Sequence, residues 1–194
     1  MVARKELECV IVETDDEGIS WVTFNRPEKR NAMSPQLHYE MEEVMMALEV
    51  DPDTKVIVLT GAGNSWSAGM DLREYFRATD GNPGEQFRSF AANRRWSWDV
   101  LSNSRKPSIA MVNGFCFGGG LTPVCACDFA IAADEAIFSL SEVNWGILPC
   151  GLVSKKLSDA ILPRHAKLYA CTGRTFDGKR AEQIGMITQS VPLA

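Results

Sequence analysis

Three consecutive glycines, Gly118–Gly119–Gly120, read as following directly on the apolar run at 109–112 and as opening a helix. A strand that feeds a glycine-rich turn and then a helix constrains a fold strongly. It requires a sheet strand that ends where a helix begins, and it leaves backbone N–H groups unpaired and facing outward, where they stabilise an anion. Glu142 comes about twenty residues later. A carboxylate near that anion can move protons, so the two features together point to chemistry in which negative charge develops on a carbonyl oxygen.

The rest of the chain alternates between strand and helix signals. Residues 10–12 and 19–24 read as strands around the turn Asp15–Asp16–Glu17–Gly18. Ser34 reads as an N-cap with Pro35 at the first helical position; Leu37, Met41, Val44, Met45 and Leu48 then recur at helical spacing until Asp51–Pro52. Further strands are expected at 56–60, 108–112, 129–132, 137–140 and 187–191. Helices are expected at 71–77, 85–102, 151–160 and 164–172, and residues 78–84, rich in Gly, Asp and Pro, read as a flexible surface segment. This order predicts an α/β domain with mainly parallel strand pairing.

Composition narrows the function classes. A chain of 194 residues suffices for one domain that buries about 70% of its surface. The net charge of −5 disfavours nucleic acid as a partner, and Arg94–Arg95 and Lys155–Lys156 read as solvated faces. No apolar run approaches the roughly 20 residues of a membrane span. The N-terminus lacks the apolar core of a secretion signal, so a cytoplasmic location without membrane association is expected. Six cysteines without a C-x-x-C pair read mostly as buried reduced thiols. Cys125, Cys127 and His165 are a weak candidate metal set, and no metal site is expected. His38 and His165, both on expected helices, read as surface or packing residues.

Five ordered segments carry a resemblance to a known family: Phe24–Asn25–Arg26–Pro27–Glu28–Lys29–Arg30–Asn31–Ala32–Met33, Ser67–Ala68–Gly69–Met70–Asp71–Leu72, Asn113–Gly114 with the glycine triplet, Ala126–Cys127–Asp128, and Ser141–Glu142–Val143–Asn144–Trp145–Gly146. In these the chain resembles the crotonase, or enoyl-CoA hydratase/isomerase, superfamily. Residues 70–76 and 142–146 are most similar to its 4-hydroxycinnamoyl-CoA (feruloyl-CoA) hydratase-lyase branch. The resemblance implies a spiral of ββα units in two sheets surrounded by helices. It also implies a homotrimer or hexamer. Family members continue past Pro192–Leu193–Ala194 with helices that build the trimer contact and cover the acyl pocket. Residues 1–194 are therefore expected to form the core domain without those helices, with apolar surface exposed where they would pack.

The resemblance also implies roles. Met70 and Gly119 occupy the positions whose backbone N–H groups form an oxyanion hole, and Glu142 that of the acid–base group. By its residues alone, Glu142 reads equally as a loop or helix-capping glutamate. Thr122 stands where simple hydratases carry a second glutamate and the hydratase-lyases a serine; a hydroxyl can position water but cannot act as a base at neutral pH. Tyr75 would read the substrate's para-hydroxyl, and Ser141 and Trp145 would line the acyl pocket. Lys29, Ala68 and Leu72, with Met70 and Gly119, would hold the CoA portion, Lys29 near phosphate. Cys150 stands where relatives often carry glycine. The implied substrate is an acyl-CoA thioester and no separate cofactor is expected. The implied activity is hydration and cleavage of a 4-hydroxycinnamoyl-CoA to an aromatic aldehyde and acetyl-CoA. The alternatives are an enoyl-CoA hydratase or isomerase on other thioesters, or a silent CoA-binding module.

Overall fold

The computed structural model describes residues 3–149 and 152–193, so Cys150 lies outside the described residues. The chain opens with a meander, β1 (Ala3–Glu6), β2 (Val10–Thr14) and β3 (Ile19–Phe24). Asp15 closes the β2–β3 turn, its Oδ1 accepting from the amides of Glu17 and Ile19 at 3.0 and 2.9 Å. Along β3 burial alternates with a period of two, and Ser20, Val22 and Phe24 face inward. Helix α1 (Pro35–Val50) begins as its sequence requires. Ser34 Oγ accepts from Leu37 N at 3.2 Å, and Leu37, Met41, Val44, Met45 and Leu48 form the buried face.

The remaining strands are β4 (Val56–Gly61), β5 (Ser65–Ser67), β6 (Ser108–Val112), β7 (Phe115–Phe117), β8 (Phe129–Ala133), β9 (Ile137–Ser139), β10 (Phe176–Asp177) and β11 (Gln189–Val191). Among the described residues they form a seven-stranded sheet, β1-β2-β3-β4-β6-β8-β11, and a four-stranded sheet, β10-β9-β7-β5. From β3 to β11 the large sheet is parallel, as is the β5-β7-β9 part of the small one. The predicted α/β class with mainly parallel pairing and two sheets is what the chain adopts. The remaining helices are α2 (Pro83–Arg94), α3 (Leu121–Ala126), α4 (Leu152–Ala160), α5 (Pro163–Thr172) and α6 (Gly178–Gln183). Phe24, Trp66, Trp96 and Phe138 are among the largest fully buried side chains of the core. Among the described residues no helix is long and apolar enough to cross a membrane.

Several expectations need correction. The glycine triplet opens a helix as expected but does not follow directly on the strand at 109–112. The short strand β7 intervenes, and the glycines form a 3-10 turn ahead of α3. The helix expected at 85–102 begins at Pro83, with Asn82 as its cap (Oδ1 accepting from Glu85 N at 3.2 Å). It runs on through a π-helical stretch, Arg95–Val100, and a 3-10 turn, Leu101–Asn103. Within 78–84, expected to be a surface segment, Thr79 is buried because its hydroxyl donates to Tyr75 O at 2.8 Å.

Candidate active site

The parallel strands β5, β7 and β9 lie side by side, and each ends shortly before one expected site residue: Met70, Gly119 and Glu142. Parallel pairing therefore delivers three distant segments to one edge of the small sheet, the edge where ligands of open α/β sheets gather.

Each segment is then fixed by its own bonds. Asn31, buried with a φ of 54°, holds the 26–31 loop: its Oδ1 accepts from Arg26 N at 2.8 Å, and its Nδ2 donates to Ala62 O and Ser65 O at 2.9 and 2.7 Å. Ser67 Oγ donates to Asn31 O at 2.8 Å and accepts from Gly69 N at 3.1 Å. Met33 N donates to Gly69 O at 2.8 Å, and Asp71 N donates to Met33 O at 2.9 Å. These two bonds make Met33 and Met70 a parallel bridge pair. In such a pair the flanking residues supply the bonds, so the N–H of Met70 itself faces the other way. It finds no acceptor among the described residues.

The glycine turn lies beside this segment. Gly69 has a φ of 89°, and a Cβ there would lie 2.7 Å from Phe117 O and 3.4 Å from Gly119 N. At Gly119 a Cβ would meet the Met70 side chain, 2.6 Å from Cε. Trp66 Nε1 donates to Gly120 O at 2.8 Å, tying the two segments together. Met70 and Gly119 thus adjoin, on backbones that approach closely because glycine carries no side chain.

Glu142 completes the group. It sits on the 3-10 segment Ser141–Trp145, half-buried, and its Oε1 would lie 3.1 Å from a Cβ at Gly118, where φ is 50°. Its Oε2 is buried and has no hydrogen-bond partner among the described residues. Burial pushes the Glu142 carboxyl above the ordinary carboxylate range, and its own backbone N–H only partly offsets this. A carboxyl with a bare oxygen thus lies against the glycine turn that adjoins Met70.

The remaining expected residues spread around this group. Thr122 is buried on α3, directly behind the glycine turn. Tyr75 is buried on the π-helical turn Leu72–Arg77, its ring at 5.3, 5.1 and 5.3 Å from the rings of His38, Phe76 and Phe90. Ser141 is half-buried beside Glu142, whereas Trp145 is 66% exposed together with Val143, Ile147 and Leu148. Lys29 pairs with Glu74 and lies 3.9 Å from Asp71. Ala68 is half-buried, its N–H committed to Arg30 O at 2.8 Å, and Leu72 is exposed.

Sequence reasoning missed two supports of this site. Arg26, buried, donates to Ala32 O at 2.6 Å, to Asp71 Oδ2 at 3.3 Å and to both Glu74 oxygens at 3.1 and 3.0 Å. Asp71 in turn caps the Tyr75 turn, its Oδ1 accepting from Arg73 N and Glu74 N. The second support is His38, fully buried against Met70 and Trp96. Arg26 and Asp71 stand within quoted motifs, so the motifs were the available signal; nothing local marks His38.

Known proteins share this fold and much of this sequence. A profile of the enoyl-CoA hydratase/isomerase family matches residues 14–194. The chain is 54% identical over 190 residues to the hydroxycinnamoyl-CoA hydratase-lyase of Pseudomonas fluorescens, spanning 96% of this chain and 68% of that protein. Among solved structures it is similar to an enoyl-CoA hydratase from Shewanella pealeana, with a TM-score of 0.87, 28% identity and coverage of 96% and 69% of the two chains. It is likewise similar to an enoyl-CoA hydratase from Bacillus anthracis, with a TM-score of 0.84, 29% identity and coverage of 96% and 71%.

Proposed function

The chain belongs to the enoyl-CoA hydratase/isomerase family, and from that membership we propose that it is a hydratase-lyase acting on 4-hydroxycinnamoyl-CoA thioesters such as feruloyl-CoA. The thioester oxygen sits between the N–H groups of Met70 and Gly119. Ionised Glu142 takes one proton of a water whose oxygen adds to the β carbon, the electron pair passes to the thioester oxygen held by the two amides, and Glu142 delivers that proton to the α carbon, ionised again. In the second step ionised Glu142 removes the proton of the β-hydroxyl. The Cα–Cβ bond breaks, the hydroxyl carbon leaves as an aromatic aldehyde, and the electron pair passes into the acetyl-CoA enolate, again held by the amides. Protonation of that enolate at the α carbon releases acetyl-CoA. One group must therefore donate and accept in turn, and burial raises the Glu142 pKa in the direction that suits both tasks.

The observation that carries this reading is the bare, buried Oε2 of Glu142 beside the glycine turn. A buried carboxylate oxygen without a donor is costly, and such groups concentrate at catalytic sites. Thr122 supports cleavage over simple hydration, because it leaves the site with one carboxylate and a hydroxyl that can position water. Tyr75 orients the para-hydroxyl, Ser141 and Trp145 border the acyl group, and Lys29 with the backbones of Ala68 and Leu72 holds the CoA portion. The chemistry calls for no metal or redox cofactor, and a trimer or hexamer is the assembly this reading carries with it.

The test is incubation with feruloyl-CoA and chromatography of the products. Vanillin and acetyl-CoA in equal amounts are expected. The enoyl-CoA hydratase neighbours favour a second reading, hydration without cleavage; turnover of crotonyl-CoA with feruloyl-CoA left intact would establish it.

A further inference from the structure

His38 lies on α1, fully buried, and belongs to none of the motifs that point to the site. Its two ring nitrogens have different tasks. Trp96 Nε1, which can only donate, reaches His38 Nδ1 at 3.1 Å, so Nδ1 is the acceptor. A neutral imidazole then carries its proton on Nε2, and Nε2 lies 3.4 Å from Met70 Sδ. Burial keeps the ring neutral by pushing its pKa down to about 3. The result is a relay, Trp96 N–H to His38 and His38 N–H to the Met70 sulfur.

Both ends of the proposed reaction meet at this ring. The Met70 side chain is wedged between His38 and Gly119, its Cε 2.6 Å and its Sδ 3.6 Å from the place of a Cβ on Gly119. Holding the sulfur therefore sets the spacing of the two amide-bearing residues. The other side of the imidazole meets Tyr75 edge to face, with centroids 5.3 Å apart and planes at 67°. Trp96 anchors the relay from below, itself fully buried against Phe24.

Resting on the activity proposed above, we propose that His38 is a positioning residue that sets the oxyanion amides, through the Met70 sulfur, in register with the aryl-reading Tyr75. It touches no reacting atom. It makes the distance between the thioester grip and the phenol grip a fixed property of the protein.

The experiment compares His38→Leu, His38→Gln and Met70→Leu. Met70→Leu keeps the backbone N–H and the Trp96–His38 bond but deletes the sulfur. On feruloyl-CoA, His38→Leu is expected to lower kcat about 10- to 100-fold, as a roughly 1 Å misplacement does, with KM changed less than about threefold. Met70→Leu should fall in the same direction, and the double variant should lose less than the product of the two single losses, because both break one contact. His38→Gln, whose amide both donates and accepts, should recover part of the rate. In a Glu142→Gln background, bound feruloyl-CoA should show a red-shifted absorbance from carbonyl polarisation, smaller once His38 is Leu. A folded His38→Leu protein with parental kcat and parental red shift overturns the inference, as do strictly multiplicative losses. Should His38→Leu not fold, parental kcat in Met70→Leu overturns it alone. If the parent neither turns over feruloyl-CoA nor shifts its spectrum, the activity itself falls and the inference with it.

Discussion

Asp71 and Glu142 are both carboxylates drawn out of water, and their pKa values move in opposite directions. Burial alone would push the Asp71 carboxyl up, but the amides of Glu74 and Arg73, together with Arg26 and Lys29, outweigh it and hold the group below the usual range. Asp71 is a structural anion, spent on capping the Tyr75 turn and neutralising Arg26. Glu142 meets the same desolvation with one oxygen unpartnered, and its pKa rises. Burial therefore does not make a carboxylate catalytic. Burial with the donors withheld raises the pKa, the direction that a group proposed to donate and accept protons requires.

Removing the titrating group is expected to have the largest effect. Glu142→Gln should lower kcat on feruloyl-CoA by about 10²–10⁴ while substrate still binds, read by steady-state rates and by titration of CoA-thioester binding. Next comes Gly118→Ala. Its Cβ would sit 3.1 Å from Glu142 Oε1 on a backbone with φ of 50°. Displacing the carboxylate should cost kcat roughly 10- to 100-fold, and the strained backbone about 1–2 kcal/mol in denaturant unfolding.

Stability against pH sharpens the contrast because the two signs differ. Asp71 has a folded pKa below its unfolded one, so its contribution is complete above the ordinary aspartate pKa and is lost as pH falls through the lowered value. Asp71→Asn should therefore be less stable than the parent at pH 7, by about 1–3 kcal/mol, with the deficit closing in acid. Glu142 has a raised folded pKa, so the parent loses stability as pH rises from the ordinary glutamate pKa to that raised value. Glu142→Gln should melt higher than the parent at pH 7 and level with it near pH 4. Thermal scans at the two pH values read both. The smallest effect is expected at Lys29, partly exposed and paired with Glu74. Lys29→Ala should raise KM by about fivefold or less, the size of an exposed charge contact, with kcat unchanged.

Much of the fold was legible in the sequence where local signals were strong. Ser34, Pro35 and the apolar spacing gave α1, and the strands at 19–24 and 108–112 were read with the bounds the chain adopts. Strands β5 and β7 were not legible. Each has three residues, and Ser65–Trp66–Ser67 carries no alternating pattern; pairing with distant partners makes these strands. β10 and α6 were missed for the same reason of brevity. At the site, Glu142 was marked by its motif alone, since a glutamate in a short polar stretch equally suits a cap. What sets its chemistry, an oxygen left without a donor, depends on three strand ends meeting and is written in no single segment. His38 is further from view still: its partners lie 32 and 58 residues away along the chain.

A crystal structure of the Glu142→Gln protein with feruloyl-CoA bound tests the proposed oxyanion site most directly. The thioester oxygen is expected about 2.7–3.1 Å from both Met70 N and Gly119 N, with the side chain of residue 142 beside the α and β carbons. A substrate bound with its oxygen away from either amide, or with residue 142 out of reach of those carbons, would contradict it.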